Sequence, residues 1–364
     1  MHFAFNDGQF EKSLTGKVVE ILKKHINVYC SFYKNKGTTS ISKEFKELPY
    51  RHSGPPKQFL NILYMYRNNI QCIRSTSADL VWISATASIP LAGLFIYRIL
   101  FPSKKFYIQL YTPSVNTSWL KRFMLNTILA VNLKFYKYIF VGNVGNNRLQ
   151  KKFGIPDKKA LKAGLGMPDY GFKPKDYSTI KLLYIGTITQ REVWKTIKGI
   201  ALFLKSKPEY YSKLKYDIIG SGKDNDVKLL TREIEERNLG GLVNYHGFLP
   251  TEQVKEYIGD ANVGINFLPM VGFYNNSSTK TLEYLIAGLP VISTRNPYCL
   301  NIIREEHGVF CDDTPESFAE ALSQLIQRIN TFNPKKIRES FIKYSMEEVI
   351  KTDFVPKLMN IINQ

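Results

Sequence analysis

The chain has 364 residues, 44% of them hydrophobic, and a formal net charge of +19 at pH 7. This length corresponds to about two domains, and the apolar content excludes a largely disordered or collagen-like chain. The longest apolar run, at 89–101, contains Arg98 and is too short to span a bilayer. The polar N-terminus lacks the apolar core of a signal peptide. The four cysteines form no CxxC pair, which indicates reduced thiols. We therefore predict a cytoplasmic protein.

The excess of positive charge lies entirely in the first half of the chain. Residues 1–175 contain 27 Lys and Arg against 8 Asp and Glu, whereas residues 176–364 contain 23 basic and 23 acidic residues. Such asymmetry predicts a polyanionic partner, either nucleic acid or an anionic membrane. A generally basic background, the alternative, would be spread over both halves.

Strands and helices alternate in the first half, as in parallel sheets whose strands are connected by helices. The polar stretch 34–55 is predicted as a loop. Strands are predicted at 2–5, 27–33, 78–85, 106–112 and 138–142. Helices, with apolar residues at i, i+3 and i+4, are predicted at 17–25, 59–76, 90–101 and 118–135. We expect one doubly wound α/β domain in this half.

A Pro-, Gly- and Tyr-rich segment at 166–180 has no apolar period, and we interpret it as a linker. The second half then alternates in the same way. Its strands are predicted at 181–186, 215–220, 242–247, 263–268, 290–294 and 308–311. Its helices are predicted at about 192–206, 225–237, 251–259, 279–287 and 315–330. We therefore expect a second domain of the same class.

The most informative segment is Ser277–Ile292, where a polar loop leads into a helix that ends at Gly288 before a strand. Lys280 and Glu283 lie at the start of this helix, one turn apart. A helix N-terminus with a lysine is suited to a phosphate, and Glu283 can accept hydrogen bonds from two adjacent hydroxyls, as on a ribose. The alternative is a glutamate that the helix dipole favours there, without any ligand. The local pattern leaves both interpretations open.

The pattern SxxKxxEYLxxGxPVI, after a strand that ends in NFLP, resembles the donor-binding signature of the group 1 retaining glycosyltransferases of bacterial surface-polysaccharide type. The segments 141–156, 184–191 and 244–269 resemble the same family, in the same order. The resemblance covers about residues 138–330 well, and the preceding part by topology. It implies a GT-B fold, that is, two Rossmann-like doubly wound α/β domains facing a cleft.

The resemblance also implies a division of the chain. Residues 1–172 would form an acceptor- and membrane-facing domain, and residues 177–344 a nucleotide-sugar-binding domain. The helical segment 345–364, which follows the completed second sheet, would pack back on the first domain.

Site residues follow from the resemblance position by position. Glu283 corresponds to the glutamate that binds the ribose hydroxyls in the family. Lys280 and the amides of Thr281 and Leu282 would lie near the diphosphate. The family's other glutamate, which contacts the sugar, is replaced by Asn275, whose amide can hydrogen-bond a hydroxyl but carries no charge.

Basic residues after the first strand of the second domain would neutralise the diphosphate. Gly186 and Thr187 lie in this loop and would contact the donor, although Thr187 stands where the family often has an arginine. We therefore assign that role to Arg191 and to Lys195, which are four residues apart and are expected on one helical face. Gly247 and Phe248 would line the base, and Gly16 would allow close approach of the diphosphate in the first domain.

The implied reaction breaks a bond between the sugar and a diphosphate leaving group, with retention of configuration. Arg191 and Lys280 would be the catalytic groups, because they stabilise the charge that develops on the leaving group. We expect no metal and no cofactor beyond the nucleotide-sugar co-substrate. The histidine that many family members place near the reacting sugar is absent, since Tyr111 and Thr112 occupy that region. No catalytic base is therefore assigned.

Other functions remain open at this point. One is a sugar-nucleotide epimerase of the same fold, although the scarcity of acidic residues in the first half opposes it. Another is a non-catalytic donor-binding subunit, which Asn275 and the missing histidine favour. A nucleic-acid-binding role is supported only by the positive charge, since the sequence contains no motif of a known nucleic-acid-binding module.

Three segments of the basic half mix Lys and Arg with large apolar residues, at 97–105, 119–124 and 134–138. Such residues suit the headgroup region of an anionic bilayer. We predict a peripheral protein on the inner face of the cytoplasmic membrane, acting on a lipid-linked saccharide. The alternative is that these aromatic residues form the core faces of ordinary helices.

Overall fold

The computed structural model describes residues 2–4, 14–26, 30–34, 46–49, 66–67, 69–71, 73–75, 77, 80–83, 93–110, 119–141, 148–162, 166–270 and 279–363. The chain divides into two compact units. The first unit comprises Met1–Gly166 and Glu347–Gln364, and the second comprises Met167–Met346. The segment 166–180, predicted to be a linker, thus lies almost wholly within the second unit.

The first unit contains a parallel sheet with the strand order β3-β2-β1-β4-β5-β6-β7. Two edge strands, β3 and β7, are missing from the sequence-based prediction, and β3 lies inside the stretch predicted as a loop. Both are short, and β3 is polar, as is usual for a protected sheet edge, so neither has an apolar pattern. The strands are β1 (His2–Ala4), β2 (Cys30–Lys34), β3 (Lys46–Pro49), β4 (Leu80–Ile83), β5 (Lys105–Leu110), β6 (Tyr138–Val141) and β7 (Ala160–Lys162).

Helices lie between several of these strands, as parallel pairing requires. Those in the described residues include α1 (Leu14–Leu22), α2 (Gly93–Leu100), α3 (Trp119–Phe135) and α4 (Arg148–Phe153). Tyr97, Phe106 and Tyr136 are buried between the helices and the sheet. Asn69 donates a hydrogen bond to the hydroxyl of Tyr97 (2.9 Å), so the polar end of that buried ring has a partner.

The second unit contains a parallel sheet with the strand order β10-β9-β8-β11-β12-β13. Its strands are β8 (Ile180–Ile185), β9 (Leu214–Ile219), β10 (Val243–Gly247), β11 (Val263–Asn266), β12 (Val291–Thr294) and β13 (Gly308–Cys311). Its helices are α5 (Trp194–Ser206), α6 (Asp224–Glu236), α7 (Thr251–Asp260), α8 (Thr279–Ile286), α9 (Pro297–Ile302), α10 (Pro315–Gln327) and α11 (Pro334–Phe341). Most inner strands are apolar on both faces and buried, which explains why their positions could be predicted closely.

The C-terminal segment returns to the first unit. It consists of α12 (Met346–Val349), a π-helical turn (Ile350–Phe354) and α13 (Val355–Ile362). Lys24 forms an ion pair with Glu347 (2.9 Å), and Lys105 donates to the carbonyl of Ile361 (2.9 Å). Within the described residues, no helix combines the length and the apolar composition that crossing a bilayer requires.

The three basic-apolar segments of the first unit have different environments. Segment 134–138 buries Tyr136 and Tyr138 in the core, so these two rings are unavailable to a membrane, whereas Phe135 is half-buried. Segment 97–105 buries Tyr97 but exposes Ile99 and Leu100. Segment 119–124 exposes four large apolar side chains at the start of α3: Trp119 (70% exposed), Leu120, Phe123 (64%) and Met124.

Candidate functional site

The candidate site lies at the carboxyl edge of the second sheet, beside the junction of β8 and β11. The chain runs outward from β8 to β9 and β10 on one side, and from β11 to β12 and β13 on the other. Helices that follow the two central strands therefore diverge here and leave a crevice, the usual ligand site of an open α/β sheet. The loop after β8 and helix α8 after β11 both begin at this edge.

Helix α8 is held in place by Tyr284, which is fully buried. The ring of Tyr284 lies on Gly264 of β11, where an added Cβ would be 2.4 Å from it. Its hydroxyl accepts a hydrogen bond from the amide of Ile185 at the end of β8 (2.7 Å). The side chain of Tyr284 thus contacts both central strands, β8 and β11, and these contacts hold α8 against the sheet.

A buried polar network supports the first turn of α8 from below. Thr281 lies 3.7 Å from the sulfur of Cys299, and Asn266 donates to Ser293 (2.8 Å) and to Cys299 (3.3 Å). Burial raises the pKa of the Cys299 thiol, so this cysteine is a neutral hydrogen-bonding group. Thr281 and Leu282 both have buried side chains, as expected of residues whose proposed contribution is their backbone amides.

Lys280 and Glu283 form an ion pair on α8. The ammonium of Lys280 lies 2.8 Å from each carboxylate oxygen of Glu283. The Glu283 side chain is 5% exposed and that of Lys280 is 34% exposed. A buried carboxylate requires hydrogen-bonding partners, and Lys280 supplies two such contacts. The two residues predicted to contact one ligand are therefore adjacent. The ammonium of Lys280 and the carboxylate of Glu283, the groups that would bind the ligand, are bound to each other.

Tyr170 also contacts Glu283, and it is not among the site residues predicted from the sequence. Its hydroxyl donates to Oε2 of Glu283 at 3.2 Å. Burial, and then the charge of Glu283, raise the pKa of Tyr170 well above its ordinary value, so the hydroxyl remains a donor at neutral pH. Tyr170 lies in the segment interpreted as a linker, and no local pattern there indicates this contact.

The loop after β8 holds the other predicted phosphate-binding residues. Gly186 donates to the carbonyl of Ile219 (3.0 Å), and Thr187 donates through its hydroxyl to the carbonyl of Ser221 (3.1 Å). Both contacts tie the loop to the end of β9. Thr187 is exposed at this edge, and Gly186 is half-buried.

Arg191 and Lys195 do not share a helical face, so that prediction is wrong. Helix α5 begins at Trp194, and Arg191 lies in a turn between Gln190 and Glu192, both of which have left-handed backbone conformations (φ 58° and 51°). Burial lowers the pKa of Arg191, but an arginine remains charged at neutral pH.

Lys195 is engaged in contacts that hold this edge together. It pairs with Glu192 (2.6 Å) and donates to the carbonyl of Asp313 (3.0 Å). The carboxylate of Asp313 in turn accepts the amide of Met270 (2.9 Å), the last described residue before α8. Binding of a phosphate by Lys195 would require this lysine to exchange its contacts with Glu192 and Asp313.

Gly247 and Phe248 lie at the end of β10, on the same edge of the sheet. Gly247 has a left-handed backbone (φ 67°), and Phe248 is 73% exposed. The neighbouring His246 contacts Asp217 (2.7 Å) and Tyr257 (3.3 Å), which accords with a structural role for this histidine. An exposed ring beside a sharp turn is available to stack on a planar base.

One predicted residue belongs to the other unit, and another lies outside the described residues. Gly16 lies in the first unit, inside the first turn of α1 rather than in a turn before it. Asn275 lies outside the described residues, as do Tyr111 and Thr112. Their roles stay predictions.

Comparison with known proteins finds a family match within the second unit. Residues 179–328 match the sequence profile of a family described as "Glycosyl transferases group 1". The chain is 25% identical over 185 residues to AmsK, the amylovoran biosynthesis glycosyltransferase of Erwinia amylovora. This similarity covers 49% of the chain and 43% of AmsK, so the chain spans less than half of that relative's length.

Solved structures resemble the whole chain. Sucrose-phosphate synthase from Thermosynechococcus elongatus has a TM-score of 0.71 at 12% identity, covering 100% of this chain and 99% of its own. HepE from Anabaena, in complex with UDP and glucose, has a TM-score of 0.70 at 9% identity, covering 98% and 99%. At these identities the similarity establishes the fold, and it confirms the predicted GT-B class.

Proposed function

We propose that this chain is a glycosyltransferase that moves a sugar from a nucleoside diphosphate sugar to a lipid-linked saccharide in cell-surface polysaccharide biosynthesis. The main support is the Lys280–Glu283 pair at the N-terminus of α8, beside the central junction of the second sheet. This pair lies inside the segment that matches the group 1 family. The similarity to an amylovoran biosynthesis glycosyltransferase supports a polysaccharide product.

Donor binding would proceed by exchange of partners within the ion pair. The ribose hydroxyls of the donor would donate to the Glu283 carboxylate, and Lys280 would turn to the diphosphate, aided by the amides of Thr281 and Leu282. Phe248 and Gly247 would contact the base, for which we favour uracil. Asn275 would hydrogen-bond the sugar. The Glu283 carboxylate is thus paired with Lys280 before the donor binds, and it would accept hydrogen bonds from the ribose afterwards.

Catalysis would rest on stabilisation of the leaving group. As the sugar–phosphate bond breaks, negative charge grows on the departing diphosphate, and Lys280 and Arg191 would lie close to it. Arg191 is half-buried, and at low solvent exposure a fixed charge acts more strongly than in water. We propose a retaining, metal-independent reaction in which the diphosphate takes the acceptor proton.

The acceptor would be presented at an anionic membrane surface. The first turns of α3 expose Trp119, Leu120, Phe123 and Met124, and Arg122 is exposed beside them. Residues 119, 120, 123 and 124 lie on one side of a helix, because positions four apart are neighbours. An apolar stripe on a strongly basic unit suits partial burial at the headgroup level together with attraction to anionic lipids.

The proposal is tested first with the unaltered protein. Thermal shifts are measured with UDP, GDP, ADP, CDP and TDP, where a ligand at 100 times its Kd stabilises by about 2.7 kcal/mol. Sugar transfer from the matching nucleotide sugars is then assayed with a polyprenyl-diphosphate-linked saccharide. We expect stabilisation by UDP and transfer without added metal. Binding without turnover would indicate a donor-binding subunit, and conversion of the donor without acceptor an epimerase.

A further inference from the structure

Residues 167–172 form a strap that packs along α8 in the second unit. At its beginning, the amide of Met167 donates to the carbonyl of Tyr344 (2.9 Å), and the carbonyl of Met167 accepts a hydrogen bond from the amide of Met346 (2.8 Å). At its end, the ring of Phe172 lies beside Gly288, where an added Cβ would be 3.0 Å from it. The strap is therefore fixed at both ends against the C-terminal part of this unit.

The centre of the strap is held by an ion pair between Asp169 and Arg338 of α11. The two terminal guanidinium nitrogens of Arg338 each donate to a carboxylate oxygen of Asp169, at 2.9 and 2.6 Å. The amide of Gly171 donates to the same carboxylate (2.8 Å), which closes a turn around Tyr170. Burial raises the pKa of Asp169, but the hydrogen bonds from Arg338 and Gly171 outweigh it, so the pKa is lowered overall.

Arg338 also connects this ion pair to α8, because it donates to the carbonyl of Ile286 (2.7 Å) at the end of that helix. A closed set of contacts results: Glu283 accepts from Tyr170, the neighbour Asp169 pairs with Arg338, and Arg338 binds the helix that carries Glu283. The position of the Tyr170 hydroxyl relative to the Glu283 carboxylate is thus determined by several independent bonds.

We propose that Tyr170 is a positioning residue for nucleotide binding, which orients the Glu283 carboxylate towards the ribose hydroxyls. This inference rests on the proposed function, in which Lys280 leaves Glu283 for the diphosphate. The carboxylate is almost fully buried and loses its cation in that step, so it needs a remaining donor to keep its orientation. Tyr170 supplies that donor, and the Asp169–Arg338 pair holds Tyr170 in place.

The decisive experiment compares two nucleotides that differ in the ribose hydroxyls. The Kd values of UDP and 2′,3′-dideoxy-UDP are measured by calorimetry for the wild type and for Tyr170→Phe. Loss of one hydrogen bond to a charged group predicts about tenfold or more weaker binding of UDP by the variant. Binding of the dideoxy nucleotide, which has no hydroxyls for Glu283 to accept, should change by less than about twofold, on the same reasoning.

Tyr177→Phe is the matched control. Tyr177 lies seven residues further along, is half-buried, and its hydroxyl has no hydrogen-bond partner in the described part of the chain. Removal of that hydroxyl should leave both Kd values unchanged. Arg338→Met should also weaken UDP binding. In the double variant, the Kd for UDP should rise by less than the product of the two single increases, because both substitutions act through the Tyr170 hydroxyl.

The outcomes separate the two proposals. If the wild type binds no nucleoside diphosphate, the proposed function fails, and the role of Tyr170 with it. If the wild type binds UDP and Tyr170→Phe binds it equally well, only the role of Tyr170 is overturned. Equal weakening for UDP and for the dideoxy nucleotide would also overturn it, because a general loss of structure does not distinguish the ribose hydroxyls.

Discussion

Helices α3 and α8 both start on the side of the carboxyl ends of a parallel sheet, yet they present opposite surfaces. In α8 the residues 281–286 are buried, and one of them, Glu283, is paired with Lys280 of the first turn. In α3 the first turns expose Trp119, Phe123 and other large apolar side chains on a unit with a large positive charge. Two domains of one fold class therefore differ at this edge: one has charged groups near a helix N-terminus, and the other has an exposed apolar stripe.

This difference teaches that topology supplies the place for a site, whereas the side chains at that place decide its chemistry. A buried ion pair suits a small polar ligand that can replace one of its members. An exposed apolar stripe on a basic domain suits a membrane surface, whose anionic headgroups cover an apolar interior. The following predictions test each half of this contrast.

The largest effect is expected for Glu283→Gln. The variant keeps the shape of the side chain but removes the charge that strengthens its hydrogen bonds to the ribose, worth about 1.5–3 kcal/mol. We expect kcat/KM for the nucleotide sugar to fall about tenfold or more. Steady-state kinetics with a fixed acceptor measures the effect, with Glu256→Gln, an exposed residue of α7, as the control. Activity within twofold of the wild type would remove Glu283 from the donor site.

The next largest effect is expected for the double variant Trp119→Ser, Phe123→Ser, which removes the two most exposed rings of α3. Burial of such side chains contributes about 1.5–3 kcal/mol each, so binding to anionic vesicles should weaken at least tenfold. Co-sedimentation with vesicles of mixed phosphatidylglycerol and phosphatidylcholine measures this. UDP binding should be unaffected.

Tyr211→Ser is the control for the membrane test, because Tyr211 is an exposed aromatic residue of the second unit. Wild-type binding to the vesicles should weaken as salt rises, since surface charge interactions are screened. Equal binding to purely neutral vesicles would contradict the proposed role of the basic unit.

A moderate effect on stability is expected for Gly264→Ala. The added methyl group would meet the ring of Tyr284, and overpacking of this kind costs about 1–3 kcal/mol. Urea unfolding followed by circular dichroism measures the change. Gly240→Ala has open space around the new methyl group and should alter the unfolding free energy by less than about 0.5 kcal/mol. Equal effects of the two substitutions would mean that α8 is not held by this contact.

The smallest effect concerns pH and the Asp169–Arg338 pair. The pKa of Asp169 is lowered in the folded protein, so its ionised form stabilises the fold above its ordinary value of 3.8, and this contribution is lost as the pH falls further. Because the pair is partly exposed, Asp169→Asn should cost only about 1 kcal/mol at pH 7. The difference from the wild type should stay constant from pH 8 to about 5 and then shrink in acid.

Chemical unfolding of both proteins across this range measures the pH dependence. Asp260→Asn serves for comparison, because its ion pair with Lys173 is largely exposed and should contribute little at any pH. A difference for Asp169→Asn that grows in acid would contradict the lowered pKa.

The parts of the fold that could be predicted are those with a strong apolar pattern. The strands β8, β11 and β12 appear in the sequence as apolar runs because both of their faces are covered, and α8 could be located from the hydroxyl residues before it and Gly288 after it. The short edge strands β3 and β7 have no such pattern. Helix α5 was predicted two residues too early, and the relation between Arg191 and Lys195 was wrong for that reason.

The sequence by itself therefore determined the two-domain α/β class, the separation of charge between the halves, and the position of Lys280 and Glu283 on one helical turn. These properties depend on composition and on spacing along the chain, which are local. The tertiary structure alone decided that Tyr170 contacts Glu283, that Arg338 fixes its neighbour, and which of the aromatic residues of the basic half are exposed. Such contacts join residues more than a hundred positions apart, and only the packing of helices against a sheet brings them together.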